Sequence, residues 1–313
     1  YASLPPSIRQ LLLNPLHLHL FHETFAGVDR VPAGLDEGSL FRGYLDHLVG
    51  QWPGLAEVLP RLGRHLLQTR QAFLPLETAL QWRDEFVIET GLGAADRLAI
   101  LDPVEQLVSA SVLVRPTEEG WGSDRRLAGY SFCHQKLAEA VLARTLSRRL
   151  PAGRPQPTSE ELLAWAREAS GEEIEGSAPF PELVGAVESF VREATRRADG
   201  ASVASLLDLD NEETRERLFG AALLEYGQTR SNRKEPTPAG AWFLETLRES
   251  ILPGDRRERI AVASDEARSI LFQSGFSRAA EDIAYQITGF QRELVEAEPT
   301  RLDWKLGLTD SLS

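Results

Sequence analysis

A mainly α-helical fold with one small β-hairpin is predicted by three features of the sequence. Apolar residues recur at helical spacing over most of the chain. A single pair of short β-branched or aromatic runs, 111–115 and 127–132, flanks a polar, glycine-bearing turn at 117–122. One Pro- and Gly-rich segment, Pro151–Pro157 (PAGRPQP), reads as a linker between two helical parts.

Before the linker, Pro15–Phe25 (PLHLHLFHETF) carries proline in its first turn, with Asn14 as the N-cap. The stretch 26–37, rich in Gly, Asp and Pro, is a loop. Ser39–Val49 places Leu40, Tyr44, Leu45 and Leu48 on one face of a helix. Leu55–Gln71 and Leu76–Phe86 are two more helices. Asp102-Pro103 opens Val104–Ala110 as a cap followed by a first-turn proline. The hairpin comes next, Ser111–Arg115 and then Leu127–Phe132, with Gly129 loosening the second strand. His134–Leu150 closes this part with Leu137, Val141, Leu142 and Leu146 on one stripe. Helix, short helix, strand, turn, strand is the order of a winged-helix domain, the hairpin being its wing.

After the linker every segment reads helical. Thr158 and Glu161 form a capping box ahead of Leu162, Leu163 and Trp165. Leu183, Val187, Phe190, Val191 and Ala194 make the next stripe, and Asn211–Tyr226 and Ala239–Leu252 follow. Glu266–Glu298 is a helix pair stopped by Pro299, with Trp304 and Leu308 opening another helix. Proline ending one helix, with an aromatic and a leucine opening the next, is the junction of a tetratricopeptide-like α-solenoid.

Composition narrows the function. Asp and Glu number 47 against 34 Lys and Arg, a net charge of −13, which disfavours nucleic acid and anionic lipid as partners. The single cysteine, Cys133, excludes an internal disulfide and a cysteine-based zinc site. No apolar run approaches the ~20 residues of a membrane span, and no signal peptide opens the chain. A cytoplasmic protein is expected, without a membrane partner. The chain opens at Tyr1 and ends at Ser313 within a helical pattern, so a part of a longer protein is expected.

Motifs for chemistry are few. His17, His19 and His22 lie close together, yet on a helix His17 and His19 point about 200° apart. No third and fourth ligand converges on them, so no metal site is expected. A P-loop is excluded because no Gly-Lys pair occurs, and Gly91–Asp96 (GLGAAD) lacks the third glycine of a dinucleotide loop. One junction does stand out. His134 sits between a strand and a helix N-terminus, where backbone N–H groups and the helix dipole favour phosphate and an imidazole adds a donor.

Phe132-Cys133-His134 with Glu139 and Ala143 resembles the aromatic-x-His signature that ends the winged helix of NACHT-type STAND NTPases. Asn14-Pro15-Leu16 resembles the N-P-L start of the helical subdomain following that family's nucleotide-binding core, and Leu40–Leu48 matches the helix placed next. The helix after His134 departs from the pattern, with Lys136-Leu137-Ala138 where an aromatic-Gln often precedes the Glu. The resemblance implies that Pro15 lines an adenine pocket and that His134 contacts the β-phosphate of ADP in a closed state. It also implies four segments: 1–37 ending the NTPase module's small helical subdomain, 38–150 the winged helix, 151–265 a helical linker, and 266–313 the first of the repeats. The complete protein would use ATP and ADP with Mg, and this chain alone would hold no cofactor.

On that resemblance the complete protein is expected to be an ATPase that passes from an ADP-bound monomer to an ATP-bound oligomer. The implied partners are a protein trigger read by the repeats, such as a phage protein in bacterial antiviral defence, and further copies of itself. The alternative is a winged-helix DNA-binding regulator of STAND type. Its recognition-helix equivalent, Asp102–Ala110 (DPVEQLVSA), has no Arg or Lys, so contact with nucleic acid is not expected.

Overall fold

In the computed structural model the described residues are 4, 6–26, 31, 35–52, 54–89, 103–115, 129–172, 177–197 and 199–231. They are mainly helical, with a small three-stranded antiparallel sheet. The chain divides into two compact units, one of residues 1–155 with 180–186, the other of residues 156–179 with 187–313.

The first unit starts with α1 (Pro6–Leu11) and α2 (Pro15–Phe25). Asn14 caps α2 by accepting from the Leu16 N–H at 2.9 Å, with proline in the first turn, as its sequence requires. A capping box starts α3 (Glu37–Gln51): the Asp36 carboxylate accepts from the Ser39 N–H at 2.7 Å, and the Asp36 N–H donates to Ser39 Oγ at 2.9 Å. Leu40, Phe41, Tyr44, Leu45 and Leu48 form its buried face. Next come α4 (Leu55–Thr69), β1 (Phe73–Pro75), α5 (Leu76–Glu89), α6 (Pro103–Ser109), β2 (Leu113–Val114), β3 (Gly129–Phe132) and α7 (Gln135–Ser147).

The sheet order is β1-β3-β2, with Leu74 opposite Tyr130 and Leu113 opposite Phe132. β1 is an addition to the hairpin read from sequence. The expected strand 111–115 is shorter, because Ser111 takes a left-handed conformation (φ 56°) that ends α6. There the Val112 N–H donates to Leu107 O at 2.8 Å and the Ser111 N–H to Val108 O at 2.9 Å, closing a Schellman turn. The Tyr44 hydroxyl donates to Ala110 O at 2.8 Å in the same turn.

α7 is buried on nearly every side, packing on α3, α4 and β3. Its small and apolar residues Leu137, Ala138, Ala140, Val141, Leu142, Ala143 and Leu146 are all buried, which sets it at the centre of this unit. Leu137, Val141, Leu142 and Leu146 are fully enclosed, each contributing about 1.5–3 kcal/mol of apolar burial.

The second unit holds α8 (Ser159–Ser170), most of α9 (Pro181–Arg196), α10 (Gly200–Ser205), a 3-10 turn (Leu206–Asp208) and α11 (Glu212–Ser231). The Thr158–Glu161 capping box starts α8, and Trp165 meets Phe190 in its core at 5.1 Å between ring centroids. The Glu225 carboxylate, buried on α11, accepts from Arg196 Nε at 2.9 Å, and Asn211 N–H donates to Glu172 at 2.8 Å. Paired in this way, the buried Glu225 carboxylate is structural.

The turn 117–122, the GLGAAD segment, the helix expected at 239–252 and the whole repeat region 266–313, with Pro299 and Trp304, lie outside the described residues. Among the described residues no helix is long and apolar enough to cross a membrane.

Candidate functional site

Asn14 and Pro15 sit exposed at the start of α2, flanked by the exposed Leu13 and Leu18. Two residues on, α2 turns inward. His17 is 7% exposed, its Nδ1 donating to Leu11 O at 3.1 Å. Its Nε2 lies 3.0 Å from Glu37 Oε1 but without hydrogen-bond alignment. His19 and His22 are exposed, and among the described residues no group of three or more His, Cys, Asp or Glu is placed to hold a metal.

Glu37 and Phe41 lie one turn apart on the face of α3 that meets α2. Phe41 is 1% exposed and sits between two histidines. His17 meets it edge-on at 5.7 Å and 88°, and His134 stacks on it at 5.6 Å and 21°. The pair of geometries is the one an aromatic quadrupole prefers.

His134 follows β3 in extended backbone (φ −147°, ψ 137°) and is itself the N-cap of α7. Its Nδ1 accepts from the Lys136 N–H at 3.2 Å. The sequence suggested an imidazole beside free helix amides; instead the ring spends one nitrogen on one of them. In the neutral ring that acceptor role places the proton on Nε2. Nε2 has no partner among the described residues, so the ring keeps one N–H donor.

Charge continues the connection. Lys136 Nζ pairs with Glu139 at 2.8 Å and lies 3.9 Å from Glu37, so Glu139, Lys136, Glu37 and His17 form a chain across α7, α3 and α2. Glu139, the glutamate of the His motif, is 6% exposed, and its carboxyl group occupies the space a side chain at Gly185 would need. Tyr44, close by, has its hydroxyl pushed up to about 12, mainly by burial and further by Glu23 and Cys133. It stays protonated and serves as a donor to the turn after α6.

The structure thus brings His134 and the helix that begins at Pro15 onto one aromatic side chain. Phe41 and Glu37 were not singled out as site residues by the sequence, although their four-residue spacing was a signal that they share a face. His134 thus offers one ring N–H donor, and the Pro15 ring at the start of α2 is exposed.

These features define a mainly helical protein in which a small antiparallel sheet and a central buried helix fix a histidine at a strand–helix junction. Compared with protein-family models, curated proteins and solved structures, the chain matches none.

Proposed function

We propose that this chain is the regulatory, sensor-proximal part of a bacterial STAND-type NTPase, with His134 as the contact that senses ADP in the resting state. The observation that carries the reading is the state of His134: capped on one nitrogen, stacked on Phe41, and left with a single donor in the same compact unit as Pro15. The order α4, β1, α5, α6, β2, β3, with a hairpin after a short helix, supports a winged helix for this part. Against DNA as the partner, α6 (PVEQLVS) has no basic residue, and its Glu105 accepts from Arg115 at 2.7 Å. The parent protein would bind ADP and ATP with Mg through motifs outside this chain, exchange them on meeting a protein trigger, and self-associate.

The test is His134→Ala in the complete protein. A hydrogen bond to a charged group contributes about 1.5–3 kcal/mol, so ADP affinity falls roughly 10- to 150-fold while ATP affinity changes little. Loss of a contact made only in the resting state moves the population toward the active one, so signalling becomes trigger-independent. A variant with unchanged ADP affinity that stays silent without trigger refutes the reading.

A further inference from the structure

Nothing in the STAND-like reading says what holds the histidine in place, and the structure does. The His134 ring has two constraints: the Lys136 N–H at Nδ1 and the face of Phe41. The imidazole turns about its Cβ–Cγ bond, and one 3.2 Å hydrogen bond at Nδ1 restrains that turn only loosely; a ring stacked on its face restrains it further. Phe41 can do this because it is immobilised itself, fully buried on α3 and held also in a T-shaped contact with His17.

We propose that Phe41 is a positioning residue for His134: it holds the imidazole in the orientation in which the Lys136 N–H keeps Nδ1 as acceptor and Nε2–H remains as the phosphate donor, and joins it to the helix carrying Pro15. The inference rests on the nucleotide reading of His134. It adds that the two proposed nucleotide contacts move as one body, because Phe41 touches both α2 and the His134 ring and the Lys136–Glu37–His17 chain runs beside it.

The decisive experiment has two arms. In the first, the 313-residue chain is labelled with 15N-histidine and the ring nitrogens of His134 are read by NMR in wild type, F41L and F41Y. Wild type and F41Y show one tautomer with the proton on Nε2; F41L, lacking the ring, shows exchange-averaged nitrogens in a chain that still melts cooperatively, at a lower temperature because the buried ring is lost. F41M replaces F41L in both arms if F41L does not fold. Unchanged His134 nitrogens in the ring-lacking variant overturn the positioning role.

In the second arm, Mg-ADP affinity of the complete protein is measured for wild type, F41L, F41Y, H134A and F41L/H134A. An aromatic stack is worth a factor of about 3–10, so F41L weakens ADP by that factor, F41Y by less than about twofold, and F41L adds nothing in the H134A background. If H134A weakens ADP and F41L does not, or if the two effects add, the positioning claim fails while the nucleotide reading stands. If H134A leaves ADP affinity unchanged, the nucleotide reading fails and the NMR arm alone decides whether Phe41 orients the ring.

Discussion

Replacing Gly63 by alanine places a methyl group where α4 and α7 leave no room for one. A Cβ built on Gly63 overlaps the Thr145 hydroxyl oxygen and falls 2.9 Å from Thr145 Cβ and 3.3 Å from its Cγ2. Turning the Thr145 side chain relieves the oxygen but not the Cβ, which is fixed by the α7 backbone. It also breaks the 2.9 Å bond that the hydroxyl donates to Val141 O. The helices must separate, and the neighbouring Leu62, Leu66, Leu142 and Leu146 are fully enclosed. Overpacking of this kind costs about 1–3 kcal/mol, and loss of leucine packing as the helices part adds to it. Against it stands the ~1 kcal/mol by which alanine outranks glycine inside a helix. The net expectation is destabilisation of about 2 kcal/mol, with the opposite sign at Gly50 on α3, where a Cβ would meet nothing within 4 Å. Hydrogen exchange reads each effect locally: protection of the α4 and α7 amides drops about 30-fold in G63A, and that of the α3 amides rises in G50A. Thr145→Ala in the G63A background removes two of the three overlapping atoms and restores at least ~1 kcal/mol, a coupling absent for distant pairs. A G63A chain as protected as wild type, or one indifferent to T145A, refutes the claim that these helices pack glycine against threonine.

Two further substitutions test other features. Ser111→Gly relieves a left-handed residue at the end of α6 and raises stability by about 1 kcal/mol, measured as a higher urea midpoint; a lower midpoint would mean the Ser111 side chain matters more than its backbone. His65, edge-on to Trp82 at 5.8 Å, has its pKa lowered from 6.5, chiefly by burial and only partly offset by a backbone hydrogen bond at Phe73. The unfolded chain therefore takes up a proton first as pH drops, so His65 lowers stability progressively below about pH 6.5 and leaves it unaffected above. H65Q should lessen the loss of stability between pH 7.5 and pH 5 relative to wild type; parallel pH profiles for the two would sink the assignment.

How much was legible in the sequence depends on how local the cause was. α2 begins where Asn14 and Pro15 say it should, and α8 where Thr158 and Glu161 do, because caps act within three residues. β1 was not legible. Phe73–Pro75 has no alternation of its own and becomes a strand only by pairing with Gly129–Ser131, far along the chain. Ser111 read as strand because its β-branched neighbours did, while the helix before it needed a left-handed residue to end. At the site, His134 was visible as a strand–helix junction, where a cap is the ordinary role of such a residue, and it is the cap of α7. Phe41 looked like one more core residue of α3, and nothing in the order of residues tells that its ring meets both His17 of α2 and the cap residue His134.

The central position of α7 has a consequence for synthesis of the chain. α3 ends at Gln51, but the helix that covers its apolar face ends at Ser147, 147 − 51 = 96 residues later. At ~5–20 residues per second the ribosome takes roughly 5–20 s to deliver it. For that interval Leu40, Phe41, Leu45 and Leu48 of the nascent chain lack their final cover, far longer than the microseconds in which helices and hairpins form. Ribosome-associated chaperones should therefore bind this nascent chain with a maximum before residue 147 clears the exit tunnel and release it afterwards.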